Sequence, residues 1–498
     1  ALNTEETATP YFKTTLDNGL RVVTAPMPHT RSVSVSIYVG AGSRYERPEQ
    51  SGLSHFLEHM CFKGTEKRPT PREISEVIDS VGGVINAGTD RELTVYYCKV
   101  ARPHFELALD VLVDMVRRPL FDPVELEKER AVVIEELASV ADSPAQQVDI
   151  LLDRTLWPDQ PLGWDVAGTE ETVSRIDREM ALSYLRRQYA PNNMVLSVAG
   201  AVGHDDVVEL ARAQMGDWAR GSPACWFPAV NGQRAPRAAT LYKNTEQAHI
   251  SVAVRGVSSW HPDRFALDLL SVALGEGMSS RLFQELRERR SLCYDVHTYV
   301  AHFLDAGAFT VYAGVDPARA EEAITAALQE LARARDEGLP EDELEKAKEL
   351  SKGRLLLRME DTRSVSGWYG GQELLNGRIY TADEVVGFIE AVTVEDIRRV
   401  ARRLLVPLTP PASPAGCADG ERGHARMTRP LARDETKGGA ACSPSSSCWQ
   451  SWRGSWSCSD SSSPACTTVS SAPGCGCAKP GPASMCSSNV GPPSCRIW

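Results

Sequence analysis

The sequence predicts an α+β protein of two similar domains, each a largely antiparallel β-sheet packed against α-helices. Three observations carry this. The chain has 498 residues, more than one compact core usually holds. Stretches that alternate with period two are interleaved with stretches of helical period. Three segments also recur in the same order, at a nearly constant offset. "VSVSIYVG" (33–40) matches "HISVAVRG" (249–256), and "ELEKERAVVIEEL" (125–137) matches "ELEKAKELSKGRL" (343–355). "RIDREMALSYLRRQYAP" (175–191) matches "AVTVEDIRRVARRLLVP" (391–407). The expected first domain is 11–219, the linker 220–236, the second domain 237–408, and a low-complexity tail 409–498.

Along the first domain, "DNG" (17–19) is a turn that leads into a strand at "LRVVTAPM" (20–27). "SVSVSIYV" (32–39) alternates Ser with Val or Ile, the pattern of a sheet with one covered face. "SGLSHFLEHMCFKG" (51–64) reads as a helix, because Leu53, Phe56, Leu57 and Met60 share one apolar stripe. "PREISEVIDSVGG" (71–83) is a second helix, with Pro near its start and Gly at its end. "ELTVYYCKV" (92–100) is a strand, 103–117 and 122–140 are helices, and "NNMVLSVAG" (192–200) is a strand that closes the sheet.

The second copy lacks a counterpart to that last strand. After Pro407 it continues "LTPPASPAGCADGERG", then runs rich in Ser, Cys, Pro, Gly and Trp. No period there could build a core. The change falls inside an expected domain. The tail therefore reads as a shifted reading frame or as disorder, ahead of a disulfide-rich or metal-binding appendage.

The net charge of −12 argues against nucleic acid or an anionic membrane as partner. No apolar run reaches the roughly 18 residues that span a bilayer. The opening "ALNTEETATPYFK" shows neither the basic nor the apolar part of a signal peptide, so the expected location is cytoplasmic, of bacterial type. Nine of 13 cysteines lie after residue 409. Cys61, Cys98, Cys225 and Cys293 form no CxxC, which fits a reducing compartment.

His55 and His59 stand four apart on the expected helix, so their imidazoles point the same way. That is the geometry for two ligands of one zinc ion. Glu58 borders the same face, where a carboxylate can take a proton from water acidified by the metal. Zinc needs a third protein ligand, and the carboxylates of "LEKERAVVIEEL" are candidates. Glu129 and Glu136 are two turns apart on one face, whereas Glu135 points about 100° away. The bland alternative is a partly buried helix with incidental histidines, and solvated helix charge for Glu129.

With these residues in place, the sequence resembles the M16 metallopeptidases, zinc enzymes with the inverted His-x-x-Glu-His motif. The resemblance runs over residues 11–408, and its centre is "GLSHFLEHMCFKGT" (52–65). In length the chain is similar to short bacterial members that resemble the beta subunit of the mitochondrial processing peptidase. In that family the third ligand is a Glu far beyond the second His, and the position that matches it here is Glu136. The resemblance makes Glu58 the general base and Glu129 a second carboxylate that supports catalysis. "GGVINAGTDRELTVYY" (82–97) resembles the family segment whose Asn and Ala, here Asn86 and Ala87, help hold substrate as an added β-strand. "GMSSRLFQELRERRSLCYDV" (277–296) resembles a segment whose Arg and Tyr, here Arg287 and Tyr294, reach the bound peptide. Their bland reading is a surface Arg and a packed Tyr. Cys61 and Cys293 read as buried packing residues.

By the repeat, His55, Glu58 and His59 fall opposite Ser271, Leu274 and Gly275, and Glu129 and Glu136 opposite Ala347 and Arg354. One zinc site per chain is expected. The resemblance implies a zinc endopeptidase acting on unfolded peptides or presequence-like segments. It also implies a chamber completed by a second copy or by an M16 paralogue. The rival reading is a non-catalytic assembly subunit, a kind of protein in which the zinc motif is usually degraded.

Overall fold

In the computed structural model, residues 10–233 and 235–405 and the backbone of 495–497 are described. Two mixed sheets and many helices make up the fold, as the α+β expectation requires. The first sheet contains β1 (Phe12–Thr15), β2 (Arg21–Pro26), β3 (Ser32–Val39), β4 (Val84–Thr89), β5 (Thr94–Ala101) and β6 (Met194–Gly200). Their order is β1-β2-β6-β3-β5-β4, antiparallel except for the β2–β6 pair. The second sheet contains β7 (Ala239–Leu241), β8 (Ala248–Arg255), β9 (Cys293–His302), β10 (Gly307–Val315) and β11 (Cys495–Ile497), in the order β7-β11-β8-β10-β9.

The short β11 occupies the place in the second sheet that β6 holds in the first. It runs the other way, parallel to β8, whereas β6 is antiparallel to β3. The rest of the expected tail lies outside the described residues.

Local signals set the helix boundaries that matter for the site. Thr70 and Glu73 form a reciprocal capping box at the start of the helix Pro71–Asp79. The Asp122 carboxylate accepts the Val124 and Glu125 N–H groups and starts the long helix Pro123–Asp142. The apolar face of β3, Val33, Val35, Ile37 and Val39, is buried in one core with Leu53, Phe56, Leu57 and Met60.

The expectation that β3 has one covered face is corrected. Its Ser face is buried as well, beneath the helix Thr362–Asn376 from the second half of the chain. Thr362 shares a hydrogen bond with Ser34 at 2.9 Å. The Ser366 hydroxyl donates to Ser36 at 2.9 Å, and Ser197 donates to the Ser366 carbonyl at 2.8 Å. The Ser/Val alternation therefore separates an apolar interior from a hydroxyl-bonded contact between halves. Gly370 makes the close approach possible, since a Cβ there would stand 2.5 Å from the Tyr38 ring. A second helix, Pro144–Leu156, crosses in the opposite sense and packs on β8. The two crossing helices begin at Pro144 and Thr362, corresponding positions of the repeat.

A buried clasp adds to this exchange. The Arg44 guanidinium donates to Glu92 at 2.5 Å, to the Phe227 carbonyl at 2.9 Å and to Asp305 at 2.7 Å. Phe227 belongs to a stretch, 219–233, that forms neither helix nor strand. Among the described residues, no helix is long and apolar enough to cross a membrane.

Candidate metal centre

The helix Leu53–Met60 starts at Gly52, whose φ of 92° only glycine adopts without strain. A side chain there would strike the Ala167 carbonyl at 2.6 Å. Glu46 supplies the missing cap: its carboxylate accepts Gly52 N–H at 2.9 Å and Ser54 N–H at 2.6 Å. With the apolar stripe in the core, the opposite flank of the helix faces Pro123–Asp142. That flank carries His55 and His59.

Their Nε2 atoms lie 3.2 Å apart. The Oε2 of Glu136 stands 3.7 Å from His55 Nε2 and 3.6 Å from His59 Nε2. A tetrahedral zinc with ligands at about 2.0–2.2 Å needs donor atoms roughly 3.3–3.6 Å apart. The three side chains therefore fit one such ion, and a His2Glu donor set suits a zinc that keeps a position open for reaction. Glu135 is exposed, as its helical phase predicts.

His59 is held from behind. Its Nδ1–H donates to Glu129 Oε1 at 2.8 Å, and Lys63 Nζ meets the other oxygen, Oε2, at 2.5 Å. Glu129 is only 3% exposed, so the two donors compensate a buried carboxylate. Burial pushes that carboxyl upward, but the hydrogen bonds from His59 and Lys63 outweigh it and hold it below its usual range. His55 has no such orienting partner, and its buried Nδ1 meets no hydrogen-bond partner among the described residues. Burial, helped by the neighbouring His59, pushes His55 down to about 3. Burial also acts downward on His59, but the Glu129 hydrogen bond and the charges of Glu58 and Glu136 raise it overall. Burial raises Glu136 against the pull of His59.

Glu58 is buried beside this cluster. Its Oε2 accepts the Thr89 hydroxyl at 2.9 Å. Burial raises its carboxyl, opposed by His59 and by that hydrogen bond, which is the direction a general base at neutral pH needs. Thr89 ends β4, the edge strand, which among the described residues pairs with β5 alone. Asn86 and Ala87 lie on this strand, and Asn86 is exposed, with its Oδ1 accepting Ala87 N–H at 2.8 Å. The site therefore sits against the edge strand of the first sheet.

The fold brings together His55, His59, Glu58, Glu129 and Glu136. Arg287 and Tyr294 are brought to each other instead, with the guanidinium carbon 4.9 Å from the Tyr294 ring centre. Among the described residues, neither makes a hydrogen bond or ion pair with the histidine cluster. Tyr294 is 74% exposed, which corrects the reading of a packed Tyr. Cys61 is buried, as expected, but Cys293 is only half-buried. Thr89, Lys63 and Glu46 were not singled out from the sequence. Thr89 and Lys63 stand inside the quoted motifs, but their partners lie on other elements.

The second half packs where the first half places its donor cluster. Ser271 donates to Thr298 at 3.0 Å, and Gly275 lets Thr298 approach so closely that a Cβ would stand 2.5 Å from it. Ala347 is buried and Arg354 pairs with Glu276.

Comparison with known proteins agrees with this asymmetry. Residues 21–170 match the family described as insulinase, peptidase family M16, and residues 175–351 match the peptidase M16 inactive domain. An uncharacterized zinc protease of Streptomyces coelicolor is 38% identical over 403 residues, covering 79% of this chain and 87% of the relative. One of Bacillus subtilis is 37% identical over 392 residues, covering 78% and 94%. The crystal structure of a protease from Helicobacter pylori shares the fold, with a TM-score of 0.73 at 24% identity over 79% of this chain and 96% of that one. A peptidase M16 inactive domain from Pseudomonas fluorescens does so with a TM-score of 0.70 at 18% identity, over 79% and 94%. Sequence, fold and relatives agree that the chain belongs to peptidase family M16, the insulinase family.

Proposed function

We propose that the chain is a zinc-dependent endopeptidase that hydrolyses peptide bonds in unfolded peptides or presequence-like segments. The observation that carries this reading is the triangle of His55, His59 and Glu136 donor atoms with the Glu58 carboxylate beside it. Names of relatives support it in coarser form, since they are called zinc proteases.

In this reading His55, His59 and Glu136 hold the ion, and Glu129 keeps His59 in the tautomer that leaves Nε2 free to bind. Bound zinc supplies a Lewis acid that polarises the scissile carbonyl and acidifies water. Glu58 takes a proton from the attacking water and returns it to the leaving amine. The edge strand β4, with Asn86 and Ala87, receives the peptide as an added strand. Arg287 and Tyr294 contact the peptide from the second half, across a chamber completed by a second copy or an M16 paralogue.

Cleavage of a quenched-fluorescent, unstructured peptide of about 15 residues tests the reading. The expected result is cleavage that a chelator abolishes and added zinc restores. A chain that binds zinc and cleaves no peptide, alone or with a paralogue, overturns it in favour of a non-catalytic subunit.

A further inference from the structure

Glu58 is buried, yet among the described residues only Thr89 donates to its carboxylate, at Oε2. Oε1 accepts no hydrogen bond from them. A carboxylate with one oxygen held and the other open has one orientation in which to exchange a proton. A carboxylate with both oxygens free would rotate between several.

The hydroxyl that does the holding is itself firmly placed. Thr89 pairs with Thr94 across the β4–β5 turn, which closes through Asp90 N–H to the Leu93 carbonyl at 2.8 Å. The Thr94 hydroxyl donates to the Ala41 carbonyl at 3.0 Å. The segment after β3 grips the turn from outside, with Arg44 N–H on the Arg91 carbonyl at 2.9 Å. Gly42 comes so close that a Cβ would stand 2.2 Å from the Asp90 carbonyl. The Arg44 clasp then ties Glu92, on the same turn, to Asp305 of the second half, and Leu304 N–H donates to Glu92 at 3.0 Å.

We propose that Thr89 is a positioning residue, whose hydroxyl fixes Oε2 of Glu58 so that Oε1 alone meets the reacting water. This rests on the reading of Glu58 as general base. The inactive half supports that turn through Leu304 and Asp305, and so contributes to aiming the base without supplying a ligand.

The test compares Thr89→Val, Thr89→Ala and Thr89→Ser in the full chain for kcat, KM, zinc per chain and thermal midpoint. Val keeps the shape of Thr and removes the hydroxyl, whereas Ser keeps the hydroxyl. The expected result is a kcat lowered by about 10- to 100-fold in the Val and Ala variants, the size of effect that misplacing a reacting group produces. KM, zinc content and midpoint stay at wild-type values, and Ser restores most of kcat. A wild-type kcat in Val and Ala, a Ser variant as slow as Val, or zinc lost from the Val variant overturns the proposal. Glu58→Gln, run alongside, separates the two levels. If it cleaves at the wild-type rate, or if the wild-type chain is inactive, the reading beneath the proposal fails first.

Discussion

His59 is the residue on which the centre turns, because both of its ring nitrogens are used. Nε2 faces His55 and Glu136, and Nδ1–H is taken by Glu129. Losing the carboxylate behind a metal-binding histidine typically weakens metal affinity by about 10- to 100-fold. Glu129→Gln is therefore expected to shift zinc competition against a calibrated chelator by that factor, with the helices intact by circular dichroism. An unchanged affinity would show that Glu129 is only a surface-helix charge turned inward. His55 with His59, and Glu129 with Glu136, were legible as candidate pairs because each obeys helical spacing, whereas the choice of Glu136 as third ligand came from the family resemblance and not from phase. Glu58 was legible by its spacing as well. Thr89 and Lys63 were not, because each acts on a carboxylate that belongs to another element, and the sequence holds no rule for which hydroxyl or amine arrives there.

At the scale of elements, the helix that carries the histidines depends on a cap from outside itself. Glu46 is fully enclosed, and burial pushes its carboxyl up from an ordinary 4.5 to about 7, against the pull of the Ser54 and Gly52 N–H groups. A carboxyl whose folded value is raised binds its proton more tightly when folded. Its contribution to stability is therefore full below about pH 4.5 and is lost as pH rises through about 7. Glu46→Gln, which stays neutral, is expected to flatten this part of the fall in thermal midpoint between those values. A fall of unchanged steepness would count against it.

The helix Thr362–Asn376 offers a sharper comparison, because it holds Gly370 and Gly371 side by side. A Cβ at Gly370 would meet Tyr38 at 2.5 Å and Ser197 at 2.7 Å, whereas one at Gly371 would meet nothing within 4 Å. Gly370→Ala is expected to cost about 1–3 kcal/mol by overpacking. Gly371→Ala is expected to add up to about 1 kcal/mol through helix propensity. Denaturant midpoints of the pair decide it, and equal effects would contradict the close contact. In the first half β2, β3, β5, β6 and the helices around the site were legible from periodicity, whereas β1 and β4 were not. The second covered face of β3 was not, since serines at alternate positions look the same facing water or facing a helix of hydroxyls.

For the whole molecule, the repeat implied two related units, and the structure adds that each lends a helix to the other's sheet. Such an exchange involves contacts between distant segments, which no local pattern records. Arg44 is the strongest single test of this union. It is fully buried against Glu92 and Asp305, and removing one partner of a buried charge group costs about 3–5 kcal/mol. Arg44→Met is expected to lower unfolding stability by that amount, measured by denaturant titration, and a loss below about 1 kcal/mol would mean that the clasp is incidental. The first half carries the donor cluster and the Glu58 carboxylate, and the second half scaffolds them. The most direct test is the cleavage rate of Glu58→Gln compared with the wild-type chain, with zinc per chain measured in both. One zinc per chain in each, with cleavage lowered by about 100- to 10,000-fold in the variant, is the predicted result. Equal cleavage in two equally zinc-loaded proteins would contradict it.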